Sequence, residues 1–242
     1  MRAVIFANGE IRDADRLRSL LRADDWIIAA DGGAKHCRRL GLTPAVLIGD
    51  LDSLSPAEAR RQERAGVDVV RFPQAKDYTD LELALRHAAE HGVDEVVILG
   101  GLGRRWDQTV ANLLLPAARE FTHLRVTFQD GEDEIRLLSG GETVTLDGAS
   151  GDVVSLMAVG ASAEGVTTTG LAYPLTDEAL ALGSTRGVSN VIAGQPCRVS
   201  LRRGVLLCFH SRQADRTSKT QRDGQPEARR RKPGGRARPP KR

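Results

Sequence analysis

Apolar and polar positions alternate in blocks along the first half of the chain. Short runs rich in Val, Ile and Ala are separated by longer amphipathic segments, a pattern that predicts buried strands joined by crossover helices. Helices cover both faces of a parallel sheet, which is why its strands are apolar on both sides. The predicted strands are 3–7, 26–30, 45–48, 67–72, 95–99 and 124–129.

Two of the intervening segments have the clearest helical spacing. Over 79–91, apolar residues recur close to the helical period, and Thr79 with Glu82 has the spacing of a capping box. A second helix is predicted over 107–120, with its apolar residues facing the core. Those residues are Val110, Ala111, Leu113, Leu114 and Ala117.

The pattern changes from about residue 131, where short alternating runs are separated by glycine pairs and turns. Several short strands at this spacing are typical of a β-sandwich or flattened barrel. The step at 202–204 is predicted as a hairpin turn between the last two of these strands. The predicted strands are 134–138, 142–146, 153–159, 165–169, 198–201 and 205–210.

The predicted fold class is therefore α/β, in three parts. An N-terminal α/β domain with a parallel sheet is expected over 1–130, and a C-terminal all-β sandwich or flattened barrel over 131–211. The remaining residues, 212–242, are predicted to be a disordered basic tail. The tail has almost no apolar residues, so its folding would bury too little surface to offset the lost entropy.

Charge divides the chain in the same way. The 242-residue sequence has a formal net charge of +3. Residues 212–242 hold 12 basic and 3 acidic residues, which leaves 23 basic and 29 acidic residues in 1–211. The folded part is therefore acidic. The tail has no aromatic residues to stack on bases, which argues against a specific nucleic-acid partner.

The sequence predicts a cytoplasmic protein with no membrane partner. No apolar run approaches the roughly 20 residues that span a bilayer. The N-terminus reaches Glu10 and Asp13 too soon for the apolar segment of a signal peptide. Cys37, Cys197 and Cys208 show no Cys-x-x-Cys spacing and are expected to be buried free thiols.

Aspartates follow four of the predicted strands. Because the carboxyl ends of parallel strands meet at one edge of a sheet, these side chains are expected to converge there. Crowded carboxylates repel one another, and a divalent cation carrying phosphate groups would resolve this repulsion. The aspartates concerned are Asp31, Asp50 with Asp52, Asp77 with Asp80, and Asp107.

Two of these pairs have a local interpretation as well. In extended geometry Asp50 and Asp52 point the same way and suit one metal ion, but Asp52 is alternatively a helix N-cap or turn residue. Lys76 adds a cation for phosphate where a helix start offers free N–H groups to anions. Alternatively, Asp77 and Asp80 are favourable first-turn charges of that helix.

A glycine-rich turn at 100–103 joins the fifth strand to the next helix. Its glycines permit close approach of the backbone to a ligand, and Arg105 is suited to bind phosphate bidentately. The segment lacks the Gly-Lys-Ser/Thr ending of a P-loop and the G-x-G-x-x-G spacing of dinucleotide-binding turns. Neither of those sites is therefore expected.

The second region offers one further candidate site. Tyr173 is suited to stack on a flat cationic ring, and Ser189 with Asn190 to hydrogen-bond that ring. An ordinary turn with a core tyrosine is the alternative interpretation.

Taken together and in order, five motifs resemble the thiamine pyrophosphokinase family, from about residue 1 to 210. The resemblance implies transfer of the pyrophosphate of ATP to the hydroxyl of thiamine, giving thiamine diphosphate and AMP. It also implies Mg²⁺, an ATP-binding α/β domain, a thiamine-binding β-sandwich, and a homodimer with active sites at the subunit interface. The motifs are D-G-G at 31–33, G-D-L-D-S at 49–53, K-D-Y-T-D at 76–80, G-G-L-G-R-R-W-D-Q at 100–108 and S-N at 189–190.

The resemblance also implies roles for residues. Asp50, Asp52 and Asp77 match acidic positions of the magnesium-ATP site, and they are predicted as metal ligands and catalytic residues. Arg105 and Asp107 complete the predicted catalytic set, and either Asp107 or Asp31 would orient the thiamine hydroxyl as a base. The predicted contacts to ATP or thiamine are Asp31, Gly32, Gly33, Ser53, Lys76, Thr79, Asp80, Gly101, Gly103, Tyr173, Ser189 and Asn190.

Three positions depart from the family pattern. Arg104 stands where a glycine is usual, and Gln108 replaces a histidine common among bacterial members. Tyr173 occupies the position of a frequent tryptophan, so weaker stacking on thiamine is expected.

Two other functions stay open on the residues alone. Paired aspartates at strand ends also suit a metal-dependent phosphohydrolase acting on a nucleotide or phosphate ester. The other is a non-enzymatic nucleotide or nucleic-acid binding protein that uses the tail. Production of AMP that requires thiamine distinguishes transfer from both.

Overall fold

The computed structural model describes residues 1–103 and 105–213. Arg104 and all but the first two residues of the tail predicted over 212–242 lie outside this range. In the described part of the chain, no helix has the length and apolar character needed to cross a membrane.

The N-terminal part alternates strands and helices as the apolar pattern predicts. The first and last residues of each predicted strand in this part lie within one residue of those of the corresponding observed strand. Thr79 caps the fourth helix, since its Oγ1 accepts a hydrogen bond from the Glu82 N–H at 3.2 Å. Only this half of the predicted capping box is present among the described residues, because the Glu82 carboxylate accepts hydrogen bonds from Arg86 instead. The elements are β1 (Arg2–Phe6), α1 (Ala14–Leu20), β2 (Trp26–Ala30), α2 (Ala34–Leu40), β3 (Val46–Gly49), α3 (Pro56–Arg64), β4 (Asp68–Arg71), α4 (Asp80–Glu90), β5 (Glu95–Leu99), α5 (Trp106–Leu114) and β6 (Arg125–Asp130).

The C-terminal part is built from short strands, and two of them lack a clear sequence pattern. Those two are β11 and β12, which are only three and two residues long. The strands are β7 (Asp133–Ser139), β8 (Thr143–Leu146), β9 (Val153–Ala158), β10 (Ala163–Thr169), β11 (Glu178–Leu180), β12 (Asn190–Val191), β13 (Cys197–Ser200) and β14 (Val205–Ser211).

Within the described residues, the strands form one ten-stranded sheet in the order β12-β9-β14-β7-β6-β5-β1-β2-β3-β4 and one four-stranded sheet in the order β11-β10-β13-β8. Strands β1 to β6 pair in parallel, as predicted. Strand β7 pairs antiparallel with β6 and so continues the same sheet into the C-terminal part. The predicted α/β class with a C-terminal β-sandwich is confirmed, and its two parts share one sheet.

The predicted hairpin at 202–204 is wrong. Strand β13 pairs with β10 and β8 in the small sheet, whereas β14 pairs with β7 and β9 in the large sheet. The turn therefore carries the chain from one layer of the sandwich to the other. A glycine turn between two strands has the same local sequence in both cases, so the pattern did not distinguish them.

Helices cover both faces of the parallel part. On one face α4 buries Leu81 and Leu85 in a core that includes Ile28, and on the other Leu17 of α1 shares a core with Phe6. The strand order reverses at β1, which lies between β5 and β2. The connections that follow β1 and β5 therefore diverge and leave a crevice at the carboxyl edge, where open α/β sheets bind ligands.

The helix predicted over 107–120 is shorter than expected, and the prediction of which of its residues are buried is wrong. α5 ends at Leu114, and a 3₁₀ turn over Leu115–Ala117 follows because Pro116 has no N–H to donate into the helix. Val110 is 53% exposed and Leu114 45% exposed. With Trp106 they form an apolar stripe at four-residue spacing that the described chain leaves uncovered.

A buried polar pair anchors the end of β14. His210 and Asp152 are almost fully buried, with His210 Nε2 3.1 Å from Asp152 Oδ2. The two carboxylate oxygens also accept backbone N–H groups from Gln213 and Ala149. Burial acts to raise the pKa of Asp152, but these donors together hold it below the usual value.

We expect Asp152→Asn to lower the free energy of unfolding by about 2 kcal/mol at neutral pH, because its amide group would face an N–H donor that now bonds a carboxylate oxygen. A carboxyl whose pKa is lowered on folding stabilises the protein above its usual pKa and loses that effect as the pH falls through the folded value. The difference between wild type and variant should therefore shrink in acid. Urea denaturation at several pH values measures it, with exposed Asp147→Asn as the control. A difference that stays constant with pH would contradict this account.

Candidate active site

A cleft of about 680 Å³ opens at the crevice where the strand order reverses. The loop after β1, the start of α4, the glycine turn after β5, and parts of α2 and α5 line it. Five of the predicted site residues lie on its walls. They are Thr79, Asp80, Gly101, Gly103 and Arg105.

Next to the cleft, three aspartates from two strand ends come together. Each of Asp31, Asp50 and Asp52 offers a carboxylate oxygen, and these oxygens all lie within 4.8 Å of one another. Ser53 donates its hydroxyl to Asp31 Oδ1 at 2.9 Å, which fixes one carboxylate. Three hard oxygen donors this close are a suitable set for a divalent cation such as Mg²⁺.

Backbone geometry at the end of β3 creates this approach. Gly49 has φ of 147°, and a Cβ there would lie 2.9 Å from Asp80 Oδ1 and 3.1 Å from the Cβ of Asp31. Leu51 has φ of 61°, an uncommon value for a residue with a side chain. The turn therefore has no room for a side chain at its first position, and it holds Asp50 and Asp52 beside Asp31.

Lys76 links the aspartate cluster to the cleft. Its Nζ lies 2.5 Å from Asp80 Oδ1 and 3.4 Å from Asp50 Oδ2. Burial raises the pKa of Asp80 even though Lys76 opposes this, and the charges of Asp50 and Asp31 add to the rise. Burial alone would lower the pKa of Lys76, but the hydrogen bond and charge of Asp80 raise it. The lysine is therefore a charged bridge between Asp80 and the cluster.

Asp77 does not join the three clustered aspartates. Its side chain is exposed in the segment between β4 and α4. Among the described residues, the third member of the group is Asp31, whereas Asp77 was the predicted third metal ligand. A metal contact from Asp77 stays a prediction.

The glycine turn after β5 is held by hydrogen bonds to its backbone. The Gly9 N–H donates to the Gly100 carbonyl at 2.8 Å, and Asn112 Nδ2 donates to the Gly101 carbonyl at 2.6 Å. Thr109 Oγ1 lies 3.2 Å from both the N and the O of Gly103. These contacts join the turn to the loop after β1 and to α5, so both walls of the cleft are fixed to one another.

Arg105 and Asp107 face each other at the start of α5. Two guanidinium nitrogens contact the two carboxylate oxygens at 3.2 and 2.5 Å. This hydrogen bonding lowers the pKa of Asp107 and raises that of Arg105. Both side chains are about two-thirds exposed, so phosphate can compete with Asp107 for the guanidinium.

Gly32 and Gly33 are needed because there is no room for a side chain at either position. A Cβ on Gly33 would lie 1.8 Å from the Phe6 carbonyl oxygen, and one on Gly32 would lie 2.3 Å from Asn8 Oδ1. The two glycines let the turn after β2 pack directly on β1 and the loop that follows it. That packing positions Asp31 at the edge of the sheet.

Tyr173, Ser189 and Asn190 form a separate group in the sandwich. Asn190 Oδ1 accepts the Tyr173 N–H at 3.1 Å, and its Nδ2 donates to the Tyr173 carbonyl at 2.7 Å. Tyr173 is 71% exposed, which rules out the core tyrosine of the alternative interpretation. None of the three residues lines the cleft.

Many residues of the cleft lie outside every motif in the sequence, and several of them are polar or basic. Asn8 follows β1, and Lys35, His36 and Arg39 lie on α2. Lys35 Nζ donates to Asn8 Oδ1 at 2.6 Å and to its carbonyl at 3.1 Å, and His36 Nε2 lies 2.8 Å from the Gly9 carbonyl. Their place in the site depends on the strand order, which no local pattern reveals.

Two family models match the chain. One is described as the catalytic domain of thiamin pyrophosphokinase and matches residues 17–128. The other is described as the vitamin B1 binding domain of thiamin pyrophosphokinase and matches residues 142–206. The matches cover both the α/β part and the sandwich.

Relatives that match most of the chain carry the same name. The thiamine pyrophosphokinase of Bacillus subtilis (strain 168) is 30% identical over 186 residues, which is 77% of this chain and 86% of that protein. A crystal structure of thiamine pyrophosphokinase from Bacillus subtilis has a TM-score of 0.77 and 27% identity, covering 88% of this chain and all of that one. Thiamin pyrophosphokinase from Geobacillus thermodenitrificans gives 0.75 and 25%, covering 89% and 99%.

Proposed function

The chain belongs to the thiamine pyrophosphokinase family, and we propose that its reaction takes place where Asp31, Asp50 and Asp52 meet beside the cleft. It is an enzyme that transfers the pyrophosphate of ATP to the hydroxyl of thiamine, which gives thiamine diphosphate and AMP. The observation that supports this location is the approach of three carboxylates to within 4.8 Å beside a cleft with cationic side chains. Acidic residues alone would repel a triphosphate, so the location requires a cation between them.

The donor set fits Mg²⁺, which prefers carboxylate oxygens together with water and phosphate oxygens. We propose that Asp31, Asp50 and Asp52 hold it, with Asp77 as a further candidate. When bound, the ion supplies positive charge to the phosphoryl oxygens. Lys76 would remain between Asp80 and Asp50 and keep these carboxylates oriented.

The protein's own groups would bind and orient the two substrates. Phosphoryl transfer depends mainly on positioning and on neutralising charge at the phosphoryl oxygens. Arg105 would exchange Asp107 for phosphate, because a guanidinium binds phosphate bidentately. Asp107, released from Arg105, or Asp31 would then accept a hydrogen bond from the thiamine hydroxyl and align it with the phosphorus that it attacks.

Thiamine would bind to the group formed by Tyr173, Ser189 and Asn190. The exposed Tyr173 ring is available to stack on a cationic ring, and Asn190 fixes the backbone of Tyr173 through two hydrogen bonds. This group does not line the cleft of its own chain. A second copy of the chain would supply it to the cleft in a homodimer.

The exposed stripe of α5 supports that homodimer. Trp106, Val110 and Leu114 lie at four-residue spacing beside the cleft residue Arg105. A surface stripe of large apolar side chains is typical of a protein interface. Burial of this stripe against a partner would place the partner's surface next to Arg105.

We expect Leu114→Glu to convert the dimer into a monomer, because the variant would bury a charge in an apolar interface. Thiamine diphosphate formation should fall with the dimer fraction. Size-exclusion chromatography with light scattering measures the oligomeric state, and Ala65→Glu, at an exposed position after α3, is the control. A wild-type protein that is monomeric and fully active would contradict the proposed dimer.

The reaction itself is tested with purified protein, Mg²⁺, ATP and thiamine, followed by chromatography. The proposal predicts thiamine diphosphate and AMP in equal amounts, and neither product without thiamine. Release of inorganic phosphate that does not depend on thiamine would contradict it and favour hydrolysis.

The three free, buried thiols of Cys37, Cys197 and Cys208 support the cytoplasmic location that we propose. Free thiols are usual in a reducing compartment. Burial raises the pKa of Cys37 and of Cys208 to about 12, which keeps these thiols unreactive.

A further inference from the structure

Four cations line the cleft, and two of them differ from the others in their partners. Arg12 contacts Asp130 at 3.1 Å, and Arg105 contacts Asp107 at 2.5 Å. In the described part of the chain, Lys35 and Arg39 form no ion pair. Among the residues that the structure describes, the hydrogen bonds of Lys35 Nζ go to the oxygens of Asn8, and the side-chain hydrogen bond of Arg39 goes to the Ile11 carbonyl at 3.3 Å.

Lys35 and Arg39 lie one turn apart on α2 and face the same cleft. Residues four apart on a helix are neighbours on one side of it, about 6 Å apart along the axis. The turn that carries Asp31 leads directly into α2, so Lys35 follows Asp31 by four residues. One aspartate of the cluster, Asp31, and the two cations are therefore carried by one continuous segment of chain.

The positive charges on the α2 side of the cleft affect the pKa of His36. Burial lowers the pKa of His36 although its contact with Gly9 opposes this, and the charges of Lys35 and Arg39 lower it further. His36 is therefore neutral at neutral pH and holds the Gly9 carbonyl without adding to the charge. The cationic character of the wall comes from Lys35 and Arg39.

We propose that Lys35 and Arg39 bind the phosphate chain of the nucleotide from the α2 side of the cleft, opposite the glycine turn. This inference rests on the proposed function. The acidic side of the site holds Asp31, Asp50, Asp52 and Asp80, and Lys76 is the described lysine that pairs with them. A triphosphate would add negative charge there, and these two cations are free to exchange neutral oxygens for phosphate oxygens, which form stronger hydrogen bonds with cations.

The test compares Lys35→Gln and Arg39→Gln with Arg38→Gln. Arg38 is in the same helix but pairs with Glu58 on α3, so its variant removes the same charge away from the cleft. We expect each cleft variant to raise the KM for ATP about tenfold with a smaller effect on kcat, whereas the control stays near wild type. Lys35→Arg should restore most of the affinity. Circular dichroism checks that the variants are folded. If only one of the two cleft variants folds, that variant alone is sufficient to test the inference.

Two further measurements separate phosphate binding from support of the Asn8 loop. Titration calorimetry with Mg²⁺ and inorganic tripolyphosphate should show a weaker Kd in both cleft variants. The ionic-strength dependence of that Kd should become shallower, since one screened charge contact is lost. Affinity and salt dependence equal to those of Arg38→Gln would overturn the inference. If the wild-type protein binds tripolyphosphate but forms no thiamine diphosphate, the proposed function is wrong. The comparison of tripolyphosphate affinity between the cleft variants and Arg38→Gln still tests this inference.

Discussion

Replacement of Asp50 by alanine is expected to lower kcat about a thousandfold while the protein stays folded, an effect of the size seen when one electrostatic contact to a transition state is removed. Asp50 shares its site with two other carboxylates within 4.8 Å. Like charges at this range repel, so loss of one should leave the melting temperature unchanged or raise it. Lys76 keeps Asp80 as its partner in the variant.

The combination of a large loss of turnover with no loss of stability identifies a functional carboxylate. Asp52→Ala should behave in the same way, because its oxygen completes the same group. Asp15→Ala, on the exposed first turn of α1, is the control and should match wild type in both measurements. Steady-state kinetics and thermal unfolding supply the data. If Asp50→Ala kept wild-type kcat, the assigned location of the reaction would be wrong.

Replacement of Gly33 by alanine is expected to cost about 3 kcal/mol or more of unfolding free energy, at the upper end for overpacking. The new Cβ would lie 1.8 Å from the Phe6 carbonyl oxygen, which belongs to the central strand β1 and has little freedom to move. The turn would have to shift away from β1 and take Asp31 with it. Activity should therefore fall in the fraction that still folds.

Gly194→Ala is the matched control for this prediction. Among the described residues, no atom beyond Gly194 and its two chain neighbours lies within 4 Å of a Cβ built there, so alanine fits without a clash. Chemical denaturation of the two variants beside wild type measures the difference in unfolding free energy. Equal stabilities of Gly33→Ala and Gly194→Ala would show that the close approach of the turn to β1 is not needed.

Local patterns along the chain predicted the parallel sheet well. An apolar run such as 95–99 has one stable arrangement, buried between two layers of helices, so its boundaries follow from composition alone. Convergence of Asp31, Asp50 and Asp52 followed from the same logic, because the ends of parallel strands share one edge. Asp77 also follows a strand, but it is exposed and is not a member of the three-aspartate group found among the described residues.

Features that depend on distant parts of the chain were not predictable in the same way. The apolar residues of α5 recur with helical spacing. This spacing shows that one face of the helix is apolar, but it does not show whether that face packs in the core or lies on the surface. Val110 and Leu114 therefore appeared as core residues although they are exposed. Lys35 and Arg39 line the cleft because the strand order reverses at β1. This reversal is a property of the folded sheet and has no local sequence pattern.

The same limit applies to the sandwich. Asp152 and His210 are 58 residues apart in sequence and meet only after β14 has entered the large sheet. Neither residue stands in a motif, and each alone has the appearance of a surface residue. The hairpin predicted at 202–204 failed for a related reason, since a turn does not specify which sheet receives the next strand.

We propose that the aspartates beside the cleft hold a divalent cation together with the nucleotide. Mn²⁺ can replace Mg²⁺ in oxygen sites, and electron paramagnetic resonance reports its free concentration during a titration with a non-hydrolysable ATP analogue. We predict that Asp31→Ala and Asp50→Ala weaken Mn²⁺ binding at least about tenfold relative to wild type and to Asp15→Ala. Equal Mn²⁺ affinity in all four proteins would contradict the claim.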